Sequence, residues 1–319
     1  MEREPLLKIT DDCFAELVRL FKESPQFAGY ADATKDLWGR ELDFASRPDT
    51  LGPLSLSEIR PSLVQAYFDG LSGRPAKQAA ALCALKQLDR WAVRRDYLPR
   101  PITFGLEIET SDGGHVPWSD AQVALARQHA RPDLARAVTL AAHTGQRGID
   151  LVRMGPTDIE TYDGVEGIRI TQIKTGREVW IPITSELSEA MRTWERVPGP
   201  WLRMPDGRPW QREALSKAWL YERDHNDALR PLRAPLVGDW APLADRGLVL
   251  HGLRGTACVR LRRAGATESQ ISAMIGLSIE MVSRYCRLSA QKENAKAAVL
   301  HLERNRSERN RDMSKKGRR

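Results

Sequence analysis

One stretch of this 319-residue chain breaks the rhythm of the rest. Between residues 166 and 183, Ile168, Ile170 and Ile173 stand before a KTGRE segment and Val179, Ile181 and Ile183 after it. Alternating apolar residues on both sides of a Gly-bearing turn read as a β-hairpin. Elsewhere apolar residues recur at helical spacing. A single hairpin among helices limits the chain to a mainly α fold with a small β-sheet. Lys174 stands beside the hairpin turn. A lysine there is either a solubilising charge or a placed cation.

The first hundred residues read as a helical bundle, domain 1–100. Its stripes are Cys13, Phe14, Leu17, Val18 and Leu20; Leu37, Trp38, Leu42 and Phe44; Ile59, Leu63, Val64 and Phe68; and Leu82, Leu85, Leu88 and Trp91. Pro48 and Gly70 mark helix ends. Lys77, Lys86, Arg90, Arg94 and Arg95 form either a solvated face or a grip on DNA phosphates. Prolines and glycines then make 101–117 a linker or exposed loop. A second domain is expected over 118–303. Ser119 and Gln122 form a capping box at its start. Pro132 suits a first helical turn and Gly145 a helix exit. A helix is expected around 214–221 and a proline-rich surface loop over 230–245. Ala295, Ala298, Val299 and Leu302 give a narrow stripe on a last helix, suited to docking into a groove. The basic run 304–319 reads as a tail that is disordered until it meets DNA.

Chemistry concentrates in two segments. TGQRGIDLVRM, residues 144–154, puts Arg147 after a tight turn, with Asp150 three residues on and placed to pair with it. HGLRGTACVRLRRAGATESQISAMIGLSIEMVSRY, residues 251–285, puts His251 and Arg254 on one helical face. Gly265, a Thr267/Gln270 capping box, Gly276 and Ser278 divide the remainder into three short helices. Tyr285 stands near the end of the third, flanked by Arg284 and Arg287. It is either a nucleophile toward phosphate or a half-buried aromatic on an amphipathic helix.

A net charge of +7 favours a polyanionic partner. Cys13, Cys83, Cys258 and Cys286 lack zinc-ligand spacing, and no metal is expected. There is no apolar run of membrane-spanning length, and MEREPLLKITDD does not read as a signal peptide. The expectation is a reduced, cytoplasmic protein.

Taken in order, these pieces resemble the tyrosine recombinase, or phage integrase, family over about residues 118–303. TGQR with Asp150 is similar to the family's first arginine motif, IKTG to its lysine hairpin and HGLR to its HxxR motif. GLSIEMVSRY is similar to the segment ending in the nucleophilic tyrosine, and the alanine-rich helix after it to the exchanged C-terminal helix. The helical bundle is similar to the core-binding domain in helix content and position. The resemblance implies a DNA recombinase that works on double-stranded sites, self-assembles as a tetramer in the synapse, and needs no cofactor, metal or ATP.

By that resemblance Arg147 and Arg254 clamp the non-bridging oxygens of the phosphate. Tyr285 attacks to give a 3′-phosphotyrosine, helped by His251 and the cations, and Lys174 protonates the leaving 5′-oxygen. Leu277 stands where the family usually has His or Trp, and a leucine offers no hydrogen bond. Two other readings remain. ESQISAMIGLSIEMVSRYCR resembles a helix-turn-helix, which suits a regulator without catalysis. A type IB topoisomerase-like enzyme would keep the chemistry and relax DNA.

Overall fold

The computed structural model describes residues 12–109, 115–195, 197–233 and 247–287, with Val299 and Glu303. The chain divides into two compact units, Met1–Gly113 and Gly114–Arg319. No helix among the described residues is long and apolar enough to cross a membrane.

The first unit is helical: α1 (Phe14–Glu23), α2 (Pro25–Ala28), α3 (Asp32–Ala45), α4 (Pro61–Asp69) and α5 (Pro75–Val93). The four anticipated helices are present, but Leu37 and Leu63 of their apolar stripes are exposed, and α2 is an additional short turn capped by Ser24, whose Oγ accepts from Phe27 N. Phe14, Phe21, Phe68, Leu85, Leu88 and Trp91 fill the core. The Pro/Gly stretch after α5 is anchored. Asp89 is buried, and its carboxylate accepts hydrogen bonds from Ile102 N, Thr103 N and Thr103 Oγ1. Leu106 and Ile108 pack on the same core. The basic face is partly engaged within the unit, since Lys77 Nζ sits 3.5 Å from the centre of the Phe44 ring.

The second unit opens with α6 (Asp120–His129), α7 (Pro132–Thr144) and α8 (Gly148–Leu151). The Ser119/Gln122 capping box starts α6 as the sequence required. A 3₁₀ turn, Pro156–Asp158, leads into β1 (Ile159–Tyr162), β2 (Val165–Thr171) and β3 (Glu178–Pro182). The antiparallel sheet has the order β1-β2-β3, with Ile168 opposite Ile159 on one side and Ile181 on the other. β2 and β3 are the anticipated hairpin; β1 is an added edge strand. α9 (Ser185–Arg192), α10 (Arg212–His225), α11 (Gly252–Arg263) and α12 (Glu268–Ile275) follow, and a further helix, α13, is described over 279–287. The core gathers around α7, where Leu134, Val138 and Leu140 are fully buried. A second cluster, Ala257, Cys258, Ile271, Ile275, Leu277, Val282 and Cys286, binds α11, α12 and α13 together. Most of the proline-rich loop, the alanine-stripe helix apart from Val299 and Glu303, and the basic tail lie outside the described residues.

Candidate active site

The site forms where three chain turns meet. The first is the exit of α7. Gly145 caps that helix in the left-handed region (φ 62°). A Cβ there would lie 2.9 Å from Ala257 Cβ, so backbone angle and close packing both demand glycine. This puts Arg147 at the N-cap of α8 and brings the α7 exit against α11 and α12. The second turn is the exit of α12, where Gly276 is also left-handed (φ 71°) and Ser278 Oγ accepts from Met281 N to start α13. The third is the turn at 173–175 between β2 and β3.

Arg254 lies on the first turn of α11 and is 2% exposed. It donates from Nη1 to Gly145 O at 2.6 Å and from Nη2 to Gly276 O at 3.3 Å. No carboxylate pairs with it among the described residues. Burial first, then the neighbouring Arg147, pushes its pKa down to about 10. A buried guanidinium whose hydrogen bonds among the described residues go to carbonyl dipoles, and which a second guanidinium repels, is a costly arrangement, and an anion relieves it. Arg147 is half-buried and donates from Nη1 to Gln172 Oε1 at 3.1 Å.

The expected pairing of Arg147 with Asp150 is replaced. Asp150 is buried, and its Oδ1 accepts from Ile173 N at 2.9 Å. The carboxylate therefore fixes the turn that carries Lys174. Lys174 is exposed on that turn, two residues from the glutamine that holds Arg147.

His251 is the N-cap of α11. Part of the residue faces solvent, yet burial, and after it His115, Arg254, Arg147 and Arg212, push its pKa down to about 4. It is neutral at pH 7 and so can accept a proton. Tyr285 is half-buried on α13 with its ring against α11: a Cβ on Gly255 would lie 2.8 Å from Tyr285 Cδ1. Burial, then Cys258, raises the phenol's pKa, while Arg254, Arg284 and Arg147 act to lower it. The side chain therefore rests protonated and needs a base. Leu277, 6% exposed, turns its side chain into the apolar cluster of α11–α13. Its carbonyl accepts from Ser272 Oγ and Arg177 Nη1.

These helices are the ones that read as a helix-turn-helix, and they carry the phenol against the arginine helix. The sequence profile of the phage integrase family matches residues 123–292. The chain belongs to the phage integrase family. That family is the tyrosine recombinase family, and the fold of this chain agrees with solved integrases. A lambda integrase dimer bound to a COC′ core site superposes with a TM-score of 0.68 at 18% identity, over 85% of this chain and 94% of that one. A lambda integrase tetramer bound to a Holliday junction gives 0.65 at 18% identity, over 84% and 74%. The Tn1549 transposon integrase in complex with circular intermediate DNA gives 0.63 at 15% identity, over 86% and 95%. No curated protein sequence matches.

Within this integrase fold three neighbours of the motifs were not singled out from sequence. His115 comes from the Pro/Gly stretch, and its ring meets His251 edge to face at 4.8 Å. Thr256 holds that strand of chain, its Oγ1 accepting from Trp118 N at 2.6 Å. Arg212, at the start of α10, adds a positive charge near His251. Gln172 lies inside the site. It, too, was not singled out from sequence.

Proposed function

We propose that the protein is a site-specific recombinase that cuts and rejoins duplex DNA through a 3′-phosphotyrosine, without metal or ATP. One observation carries this reading: Arg254 is buried beside Arg147 with no carboxylate hydrogen-bonded to it among the described residues, and the Tyr285 ring packs against the helix that carries that arginine. Two guanidiniums, one buried and one half-buried, are suited to a phosphodiester whose charge grows as a fifth oxygen approaches.

The steps follow from the groups present. The arginines take the non-bridging oxygens. Neutral His251 accepts the phenolic proton, and Tyr285 Oη forms the new bond to phosphorus. The P–O5′ bond breaks, Lys174 gives its proton to the leaving oxygen, and a free 5′-hydroxyl results. Attack by a 5′-hydroxyl reverses the sequence, so no external energy is needed. Lambda integrase has been seen as a dimer on a core site and as a tetramer on a Holliday junction. Our reading extends this to self-assembly of the present chain on paired DNA sites, as a tetramer in the cytoplasm.

The test is incubation with a nicked duplex that traps cleavage. An SDS-resistant protein–DNA complex that disappears in Tyr285→Phe supports the reading. An undiminished complex in that variant overturns it. Relaxation of supercoiled plasmid without recombination would point to a topoisomerase-like outcome.

A further inference from the structure

The groups of the site are joined by one side chain that the reaction scheme does not use. Gln172 is fully buried (0% exposed) at the end of the β2 run. Its Oε1 accepts from Arg147 Nη1 at 3.1 Å and from Thr175 Oγ1 at 2.9 Å. Its Nε2 donates to Gln146 Oε1 at 2.6 Å and to Ile275 O at 2.9 Å. Gln146 is also buried, and its Nε2 donates to Ile275 O and to Thr144 O, each at 3.1 Å. A Cβ on Gly276 would lie 2.5 Å from Gln172 Nε2, so the amide presses on the turn that leads into α13.

The amide has one workable orientation. Turned over, it would aim N–H groups at a guanidinium and an oxygen at the carbonyl of Ile275. With all four of its hydrogen bonds made, the side chain is locked, and so is the Arg147 nitrogen it receives. The chemistry of the acceptor matters too. A carboxylate in this place would hold Arg147 and also cancel its charge. A neutral amide aims the guanidinium and leaves the charge for the phosphate. The same side chain touches the arginine loop, the hairpin of Lys174 and the exit of α12 that sets the tyrosine helix.

We propose that Gln172 is a positioning residue for strand cleavage: it orients Arg147 without neutralising it and registers the lysine hairpin and the tyrosine helix on that arginine. This rests on the recombinase reading above.

The experiment measures single-turnover adduct formation at saturating DNA, DNA affinity and melting temperature for wild type, Gln172→Met and Gln172→Glu. Gln172→Met keeps the length and loses all four bonds; its cleavage rate should fall about ten- to hundred-fold while DNA affinity stays within about three-fold. In an Arg147→Lys background the same change should cost less than about three-fold, because its route of action is already gone. Gln172→Glu retains an acceptor and adds charge; at pH 8 its cleavage should fall at least as far as that of Gln172→Met. An equal penalty in both backgrounds, a loss confined to DNA affinity, or full activity of the Glu variant would overturn the proposal. If Gln172→Met does not fold, the Glu variant still decides. Wild type that forms no adduct at all refutes the recombinase reading instead, so the two failures are distinct.

Discussion

Gly255 is the most informative place to perturb the site without touching a reacting group. It lies in α11 one residue after Arg254, and the Tyr285 ring rests on it. In Gly255→Ala the new methyl would stand 2.8 Å from Tyr285 Cδ1 and 2.9 Å from Pro117 Cγ. Ordinary contact begins near 3.4 Å, so the ring must retreat by about 0.6 Å. For stability two effects oppose each other. Alanine in a helix interior gains about 1 kcal/mol over glycine. Overpacking costs about 1–3 kcal/mol. The net is a loss of roughly 0–2 kcal/mol, a few degrees of melting temperature for a unit of this size. For chemistry nothing offsets the displacement. A misplacement approaching 1 Å costs up to about a hundred-fold in rate. Gly255→Ala should therefore keep its fold and its DNA affinity and lose roughly ten- to hundred-fold in single-turnover cleavage. A variant that cleaves at the wild-type rate would refute the placement of Tyr285 on α11. One that loses cleavage only in proportion to folded protein would reduce the effect to stability.

Three further outcomes follow from the same geometry. The pH profile of kcat/KM reports the free protein, so its acid limb should lie near pH 4, where His251 takes its proton, and His115→Ala should move that limb up toward the ordinary histidine value of about 6.5; a limb that does not move would separate His115 from the site. His143, pushed by burial to about 4, and His251 both refuse protons that the unfolded chain accepts below about 6.5, so stability is full above that pH and is lost as pH falls toward 4. Melting temperatures between pH 7.5 and 4.5 check this, and a flat curve would contradict it. Leu277→Ala opens a hole in the cluster that ties α13 to α11 and should cost about 2–5 kcal/mol, read as a lowered denaturation midpoint; an unchanged midpoint would remove Leu277 from the core.

Local signals were legible where they depend on near neighbours. The capping boxes at Ser119/Gln122 and Thr267/Gln270, and the left-handed glycines 145 and 276, form as their residue types require. β2 and β3 were visible because their inward isoleucines and valine alternate. β1 was not, since it has four residues and a mostly exposed edge pattern. The spacing of Arg147 and Asp150 suggested a pair, but Asp150 accepts from Ile173 N, 23 residues on, and a tertiary contact of that kind overrides local spacing. Gln172, His115 and Arg212 gain their places only through packing across α8, α11, α12 and the hairpin, and no one-dimensional period carries that information.

In the proposed reaction Tyr285 becomes joined to DNA at a phosphate held by Arg147 and Arg254. Mass spectrometry of protease-digested adduct from a nicked duplex tests it most directly. One modified peptide is expected, with the 3′ end of the cleaved strand on Tyr285 and a free 5′-hydroxyl on the other product. A linkage at any other residue, or a 5′-phosphate linkage at Tyr285, would contradict it.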